Sequence, residues 1–328
     1  MKSDRNRHIL PGTMNKTLKI LRVIVSLVVF MLLGAGLSCF VWFIPEVDNF
    51  LGDIQLGSAI AGMSLGVFAF WMLVTLVFGR IYCSTICPMG TLMDVSARCA
   101  RLTHRGRQRV YRHEAPSPMV RYGFLAVALL SILAGFVLIP SVLDPYAAFC
   151  RICAGFFNPM LKFFIRELGE AGVYNHYTAL AITTSVAASI IATFLFAVIV
   201  TVAMITGRSI CNTVCPVGTI LGTVSRFSIF QFDIDTDLCT NCRRCEYVCK
   251  GHCINLQDHV VDGSRCVVCF DCVNACRDKA IRYTTDRKRL SAPLMQKVKG
   301  RVSQPQTSLE STEAPVANHS IEKTNPQK

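Results

Sequence analysis

The sequence predicts a polytopic α-helical membrane protein that carries a small α+β domain near its C-terminal end. Three observations predict it: long apolar stretches, a cysteine-proline frame that occurs twice, and two tandem four-cysteine runs. Composition agrees, since 52% of the 328 residues are hydrophobic and only 17% are charged, whereas soluble domains carry about a quarter of charged residues.

Four apolar stretches, Leu18 to Ile44, Leu56 to Phe78, Met119 to Leu143 and Thr178 to Thr206, each reach the roughly 20 residues that cross a bilayer. They predict four spanning helices arranged as two duplicated hairpins. The first stretch outruns the roughly 7 to 15 apolar residues of a signal peptide, so it is expected to stay in the protein. Residues 1–17 then form a short leading segment and 18–232 the membrane domain. Lys2, Arg5, Arg7 and Lys16 precede the first stretch, and Arg80, Arg98, Arg101, Arg105, Arg107, Arg109 and Arg112 lie between the second and third. Basic loops stay on the cytoplasmic side. The loop with Glu46, Asp48 and Asp53 and the nearly balanced loop from Asp144 to Tyr177 are expected outside, and both termini in the cytoplasm. The net charge of +13 is read as this topology signal beside anionic lipid rather than as nucleic-acid binding.

The frame Gly-Arg-x-x-Cys-x-x-x-Cys-Pro-x-Gly-Thr starts at Gly79 and again at Gly207, 128 positions later. Beyond the fourth stretch, Cys239, Cys242, Cys245 and Cys249 form one Cys-x2-Cys-x2-Cys-x3-Cys run, and Cys266, Cys269, Cys272 and Cys276 form another. Soft thiolates at this spacing suit iron-sulfur clusters, and in the bacterial pattern the fourth cysteine of each run serves the other cluster. Two [4Fe-4S] clusters are therefore expected, one on Cys239, Cys242, Cys245 and Cys276, the other on Cys266, Cys269, Cys272 and Cys249. Tetrahedral zinc is the competing reading, and tandem four-cysteine runs weigh against it. Lys250 and Arg277 stand where a proline commonly follows the last cysteine, and either solvent exposure or a place beside an anionic cluster explains them. Cys253 aligns with Ala280 when the runs are superposed, a slot for a small packing residue, and reads as a buried structural thiol. A compact ferredoxin-like module fits 233–285, and the polar residues 286–328 fit a disordered tail.

This conjunction resembles the NapH/MauN group of membrane ferredoxin-type proteins over roughly residues 18 to 285. The resemblance implies electron transfer between the quinol pool, or a cytoplasmic donor, and a partner reductase or cytochrome; a role in maturing or regulating a partner redox enzyme is the alternative it implies. It implies partners among redox subunits and a place in the cytoplasmic membrane.

Cysteines four apart on a helix share a face, so Cys83 and Cys87 can address one metal or partner, with Pro88 disturbing the ladder beyond them. The second copy offers Cys211 and Cys215, and a pseudo-two-fold arrangement brings all four together at the inner face. A shared metal site, redox thiols beside a quinone, and structural buried cysteines stay open. Cys150 and Cys153 fall in an expected outer loop, where a disulfide or a metal supplied by a partner are the readings; Ala154 in place of histidine argues against covalent haem. Cys39 and Cys99 are expected to be inert. No histidine lies in the four stretches to ligate a b-type haem, and no glycine-rich nucleotide loop occurs.

Overall fold

The computed structural model describes residues 12–37, 52–55, 65–103, 111, 117–136, 138–167 and 185–285. Cys39, the expected tail 286–328 and the basic residues 105–109 lie outside the described residues. Two helices are long and apolar enough to cross a membrane: α1 (Gly12–Leu37), within which the window Thr17–Gly34 qualifies, and α9 (Val186–Thr206). The helices in the second and third apolar stretches, α2 (Leu65–Phe78) and α5 (Pro118–Leu133), have 14 and 16 residues. Among the described residues, then, two helices and not four reach spanning length. The third stretch is also not one helix. Gly135, at φ 76°, ends α5 in a Schellman turn, with Phe136 N–H donating to Ser131 at 2.8 Å and Gly135 N–H to Ile132 at 3.1 Å.

These helices turn polar and small residues inward and large apolar ones outward. Arg22, Ser26, Thr75, Arg121 and Ser131 face inward, while Ile20, Ile24, Met31, Leu73, Leu130, Ile191 and Phe194 are exposed. The inward face of α9 carries the small residues Ala192 and Ala203. Polar and small residues inside with large apolar ones outside suits a membrane bundle, because lipid is as apolar as leucine and association relies on close packing and hydrogen bonds.

Each copy of the repeated frame folds in the same way. A helix ends at a glycine with positive φ, Gly79 (76°) or Gly207 (69°). A short helix follows, α3 (Tyr82–Thr85) or α10 (Ser209–Thr213), then a longer one, α4 (Pro88–Thr103) or α11 (Pro216–Ser225). Packing is crosswise: α9 lies along α4 and α2 along α11, so each half supplies the wall of the other.

The segment expected outside the membrane is helical, with one face buried in the core. Short α6 (Leu138–Leu143) leads to Asp144, which caps α7 (Pro145–Ile152) by accepting from Ala147 N–H at 2.8 Å. A π-helical turn, Cys153–Phe157, continues into α8 (Asn158–Glu167). Phe149, Ile152 and Cys153 are buried in the same cluster as Cys83, Cys87, Cys211 and Cys215. Phe149 packs on Phe30 of α1, and Phe156 stacks on Phe196 of α9 at 4.7 Å. Charge balance in a loop does not reveal an apolar face, so the sequence gives no sign of this burial.

The C-terminal module pairs β1 (Gln231–Ile234) antiparallel with β4 (Ile281–Thr284), and β2 (Ile254–Asn255) with β3 (Val260–Val261); α12 (Arg244–Val248) and α13 (Asp271–Ala275) complete it. It supplies partners to terminal carbonyls of both central helices. For α2, Ile229 and Phe230 N–H donate to Leu76 and Val77 at 2.8 and 2.9 Å, and the Tyr283 hydroxyl donates to Phe78 at 2.8 Å. For α9, His252 Nε2 lies 2.8 Å from the Thr206 carbonyl.

In the repeated frame, a Cβ on Gly90 would lie 2.3 Å from the Cys83 carbonyl oxygen and one on Gly218 2.2 Å from that of Cys211. Replacing a helical glycine by alanine ordinarily gains about 0.5–1 kcal/mol. Here overpacking reverses the sign: Gly90→Ala and Gly218→Ala should each destabilise by about 1–3 kcal/mol, whereas Gly34→Ala, with nothing within 4 Å, should be neutral or stabilising. Thermal loss of monodisperse protein in detergent measures all three.

Candidate metal centre

The two four-cysteine runs fold alike. Asn241 and Arg243 in the first, and Val268 and Phe270 in the second, all have φ between 52° and 59°. These are the second and fourth positions after the leading cysteine of each run. A β-branched valine is costly in this conformation and persists only where surroundings impose it. Alternating left-handed residues turn backbone N–H groups into a concavity of the kind that holds anionic iron-sulfur groups. The third cysteine of each run then rides on α12 or α13, and the fourth, Cys249 or Cys276, caps that helix in extended conformation.

The sulfurs are grouped across the runs. Cys245 has Cys276, Cys239 and Cys242 as its thiol neighbours, and Cys272 has Cys269, Cys266 and Cys249 first among its own. Cys239, Cys242, Cys245 and Cys276 line one small hollow together with Ile234, Leu256 and Ile281. Burial pushes the Cys245 thiol up to about 12 and the Cys272 thiol well above its ordinary value. Such thiols stay protonated unless a metal displaces the proton. Among the described residues no three His, Cys, Asp or Glu side chains are set to hold a single ion. Two nests of four soft thiols each are instead the donor set of a four-iron cube.

A third group of thiols lies where the two frames meet. Cys83, Cys87, Cys211 and Cys215 are all buried and are mutual neighbours. The two cysteines of a frame do not share one helix face as the spacing suggested. Cys83 sits in α3, and Cys87 precedes Pro88, which starts α4 rather than breaking a helix. Cys215 caps α11, its sulfur accepting from Gly218 N–H at 3.3 Å. The chain turns at each proline because its ring clashes within a helix interior but suits a helix's first turn.

Two fully buried arginines cross between the frames. Arg208 donates from Nη1 to the Cys83 carbonyl at 2.5 Å and from Nη2 to that of Gly90 at 2.9 Å. Arg80 donates to the Cys211 carbonyl at 3.3 Å and to Asn212 Oδ1 at 2.8 Å, and its Nη2 lies 3.9 Å from the Cys83 sulfur. The sequence reads Arg80 as a topology marker and assigns Arg208 no role, although the place of both inside the repeated frame is the available signal for another one.

Asp94 joins this centre to the C-terminal module. Its carboxylate pairs with Arg208 at 2.8 Å, Lys250 at 3.2 Å and Arg22 at 3.5 Å. Burial alone would raise the Asp94 carboxyl, yet Arg208, Lys250 and Arg22 hold it well below the ordinary carboxylate range. Lys250 also reaches Asp271 at 3.2 Å, which Lys19 approaches at 2.7 Å. Burial again opposes, and Lys250 and Lys19 bring Asp271 down to about 2. Lys250, ambiguous in sequence, is thus a buried ion-pair partner and not a solvent-exposed replacement for proline. Cys269 and Val267 pack on the same core as the buried quartet, and Arg208 has both Cys211 and Cys269 among its charged neighbours.

The remaining cysteines fall elsewhere. Cys150 is half-buried and Cys153 buried, adjacent to one another on α7 and the π-helical turn. Cys99 is exposed. Cys253 is buried, with its sulfur 3.2 Å from that of Cys249.

Removing the hub carboxylate should be costly. Asp94→Ala leaves three cations facing one another and is expected to lose about 3–5 kcal/mol, read as a drop in the unfolding midpoint. Arg282→Ala, which removes the half-exposed pair with Asp235 at 3.9 Å, should shift it by about 0.2–1 kcal/mol.

Comparison with known proteins adds a family and relatives. The 4Fe-4S binding domain family matches residues 60–109 and 186–234, the segments that carry Cys83 and Cys87 and then Cys211 and Cys215. An uncharacterized protein of Methanocaldococcus jannaschii is 36% identical over 24% of this chain and 31% of its own length. YccM of Escherichia coli K12, whose name assigns it to electron transport, is 25% identical over 68% of this chain and 55% of its own. The ferredoxin-type protein NapH of Haemophilus influenzae is 24% identical over 63% of this chain and 62% of its own. The chain therefore spans less than two thirds of each of these relatives. No solved structure matches. The duplicated 4Fe-4S binding segment meets itself across the buried arginines, and the chain is NapH-like by its similarity to that ferredoxin-type protein over 63% of its length.

Proposed function

We propose that this protein is a multi-pass electron-transfer protein of the cytoplasmic membrane, with both termini cytoplasmic, which relays electrons between the quinone pool and partner redox subunits. The observation that carries the reading is the abutment of the Cys266 nest on the buried quartet, where Val267 and Cys269 pack in the same core as Cys83, Cys87, Cys211 and Cys215. In this reading Cys239, Cys242, Cys245 and Cys276 hold one [4Fe-4S] cluster, Cys266, Cys269, Cys272 and Cys249 a second, and Cys83, Cys87, Cys211 and Cys215 a further metal site. When bound, such groups supply one-electron carriers.

The chain's own residues do the rest. Four thiolates in a dry core bring four negative charges, and Arg80 and Arg208, both without solvent exposure, offset part of that charge where water cannot. Positive groups beside cluster sulfurs favour the reduced, more negative state and so raise the potential. Lys250 holds the backbone after Cys249 against Asp94 and Asp271, which fixes the distance between the module and the quartet. Exposed apolar side chains on α1, α2, α5 and α9 support this reading, in which the quartet lies in a lipid-facing bundle within reach of a quinone.

Two experiments test this. A reporter active only outside the cytoplasm should be active when fused after Asp53 or Gly169 and silent after Gln108 or Thr285; activity at Thr285 overturns the orientation. In liposomes, a reduced quinol analogue should reduce the iron centres of the protein, followed by bleaching of visible absorbance. Cys83→Ser with Cys211→Ser should slow this at least about tenfold, about 1.4 kcal/mol of barrier, while dithionite still reduces the centres of the C-terminal module. Reduction by quinol at the unaltered rate in that variant rejects the quartet as the entry point.

A further inference from the structure

The two nests of the C-terminal module are nearly equivalent, and they differ by one sulfur. In each run the fourth cysteine is followed, three positions later, by a left-handed residue, His252 or Lys279, both at φ 52°. The residue after that turn is swung back onto the fourth cysteine. Beside Cys276 it is Ala280, whose N–H donates to the Cys276 sulfur at 3.3 Å. Beside Cys249 it is Cys253, whose own sulfur lies 3.2 Å from that of Cys249 and within hydrogen-bonding reach of Cys266.

Cys253 is held there firmly. His252 N–H donates to the Cys249 carbonyl at 3.1 Å and Asp262 N–H to the Cys253 carbonyl at 2.8 Å. The His252 ring is anchored on the Thr206 carbonyl and against Tyr111. The thiol is 3% exposed, in the hydrophobic cluster with Cys249 and Cys272, so water does not compete for the place.

We propose that Cys253 is a substitute ligand for the cluster of the Cys266 nest, able to take the iron otherwise held by Cys249. The inference rests on the reading above that this nest holds a cluster. In the exchange the iron–sulfur bond to Cys249 breaks, one to Cys253 forms, and the Cys253 proton passes to the Cys249 sulfur. The thiol contact already provides that proton's path, and no electron is gained or lost. The Cys276 nest has no such reserve, since Ala280 offers only a methyl group.

Iron content of the anaerobically purified full chain, with electron paramagnetic resonance of the reduced protein, tests the idea. Cys249→Ala should keep the wild-type iron content while the signal of one cluster shifts, and Cys249→Ala with Cys253→Ala should lose about four irons, one cluster's worth. Cys276→Ala alone should lose about four, and adding Ala280→Cys to it should restore them. Loss of about four irons from Cys249→Ala alone, or no restoration by Ala280→Cys, overturns the proposal and leaves the cluster assignment standing. Full iron in the Cys249→Ala, Cys253→Ala double variant overturns both.

Discussion

Two guanidinium groups exchanged across the interior hold this structure together. Arg208 from the second frame donates to the Cys83 and Gly90 carbonyls of the first, and Arg80 from the first donates to the Cys211 carbonyl of the second. Burying a cation costs several kcal/mol unless its donors are met. Neither half contains the acceptors its own arginine needs, so neither can bury its frame alone. The glycine after each Cys-Pro follows from this crossing, because a side chain at Gly90 would meet the Cys83 carbonyl and Arg208, and one at Gly218 the Cys211 carbonyl and Arg80. Convergence of the four thiols is then a by-product of two arginines reaching past one another.

The duplication is broken where the C-terminal module docks. Asp94 of the first half corresponds to Gly222 of the second, and a Cβ on Gly222 would lie 2.0 Å from a nitrogen of Arg121. One half therefore presents a carboxylate that receives Lys250, and the other a guanidinium that donates from Arg121 to the Ser264 carbonyl at 3.2 Å. Arg80 adds a second donor to Ser264 at 3.1 Å. A symmetric pair of half-sites thus receives one asymmetric module in one orientation. Buried ion pairs of this kind stabilise little beyond an apolar contact, but unpaired they are costly, and they specify register.

Docking and ligation are coupled through adjacent residues. Lys250 follows Cys249 directly, and its carbonyl accepts from Arg208 N–H at 3.0 Å. Any movement of the Cys249 sulfur displaces a lysine tied to two carboxylates. The module also supplies partners to the C-terminal carbonyls of α2 and α9, so these helices and the thiol nests are joined by shared hydrogen bonds.

The sequence by itself determined the local chemistry. Spacing marked the two four-cysteine runs and the duplicated frame, and apolar length marked α1 and α9, because these signals are carried by neighbours a few positions apart. The tertiary structure decided what lies between distant residues. Pro88 and Pro216 start helices, so cysteines four apart do not share a face. The segment with Phe149, Ile152 and Cys153 enters the core although its charges look like those of a loop. Arg80, Arg208, Asp94 and Lys250 look like surface charges in any window of sequence. Each finds its partner more than a hundred positions away, and only packing of one half against the other removes the water that would otherwise satisfy it.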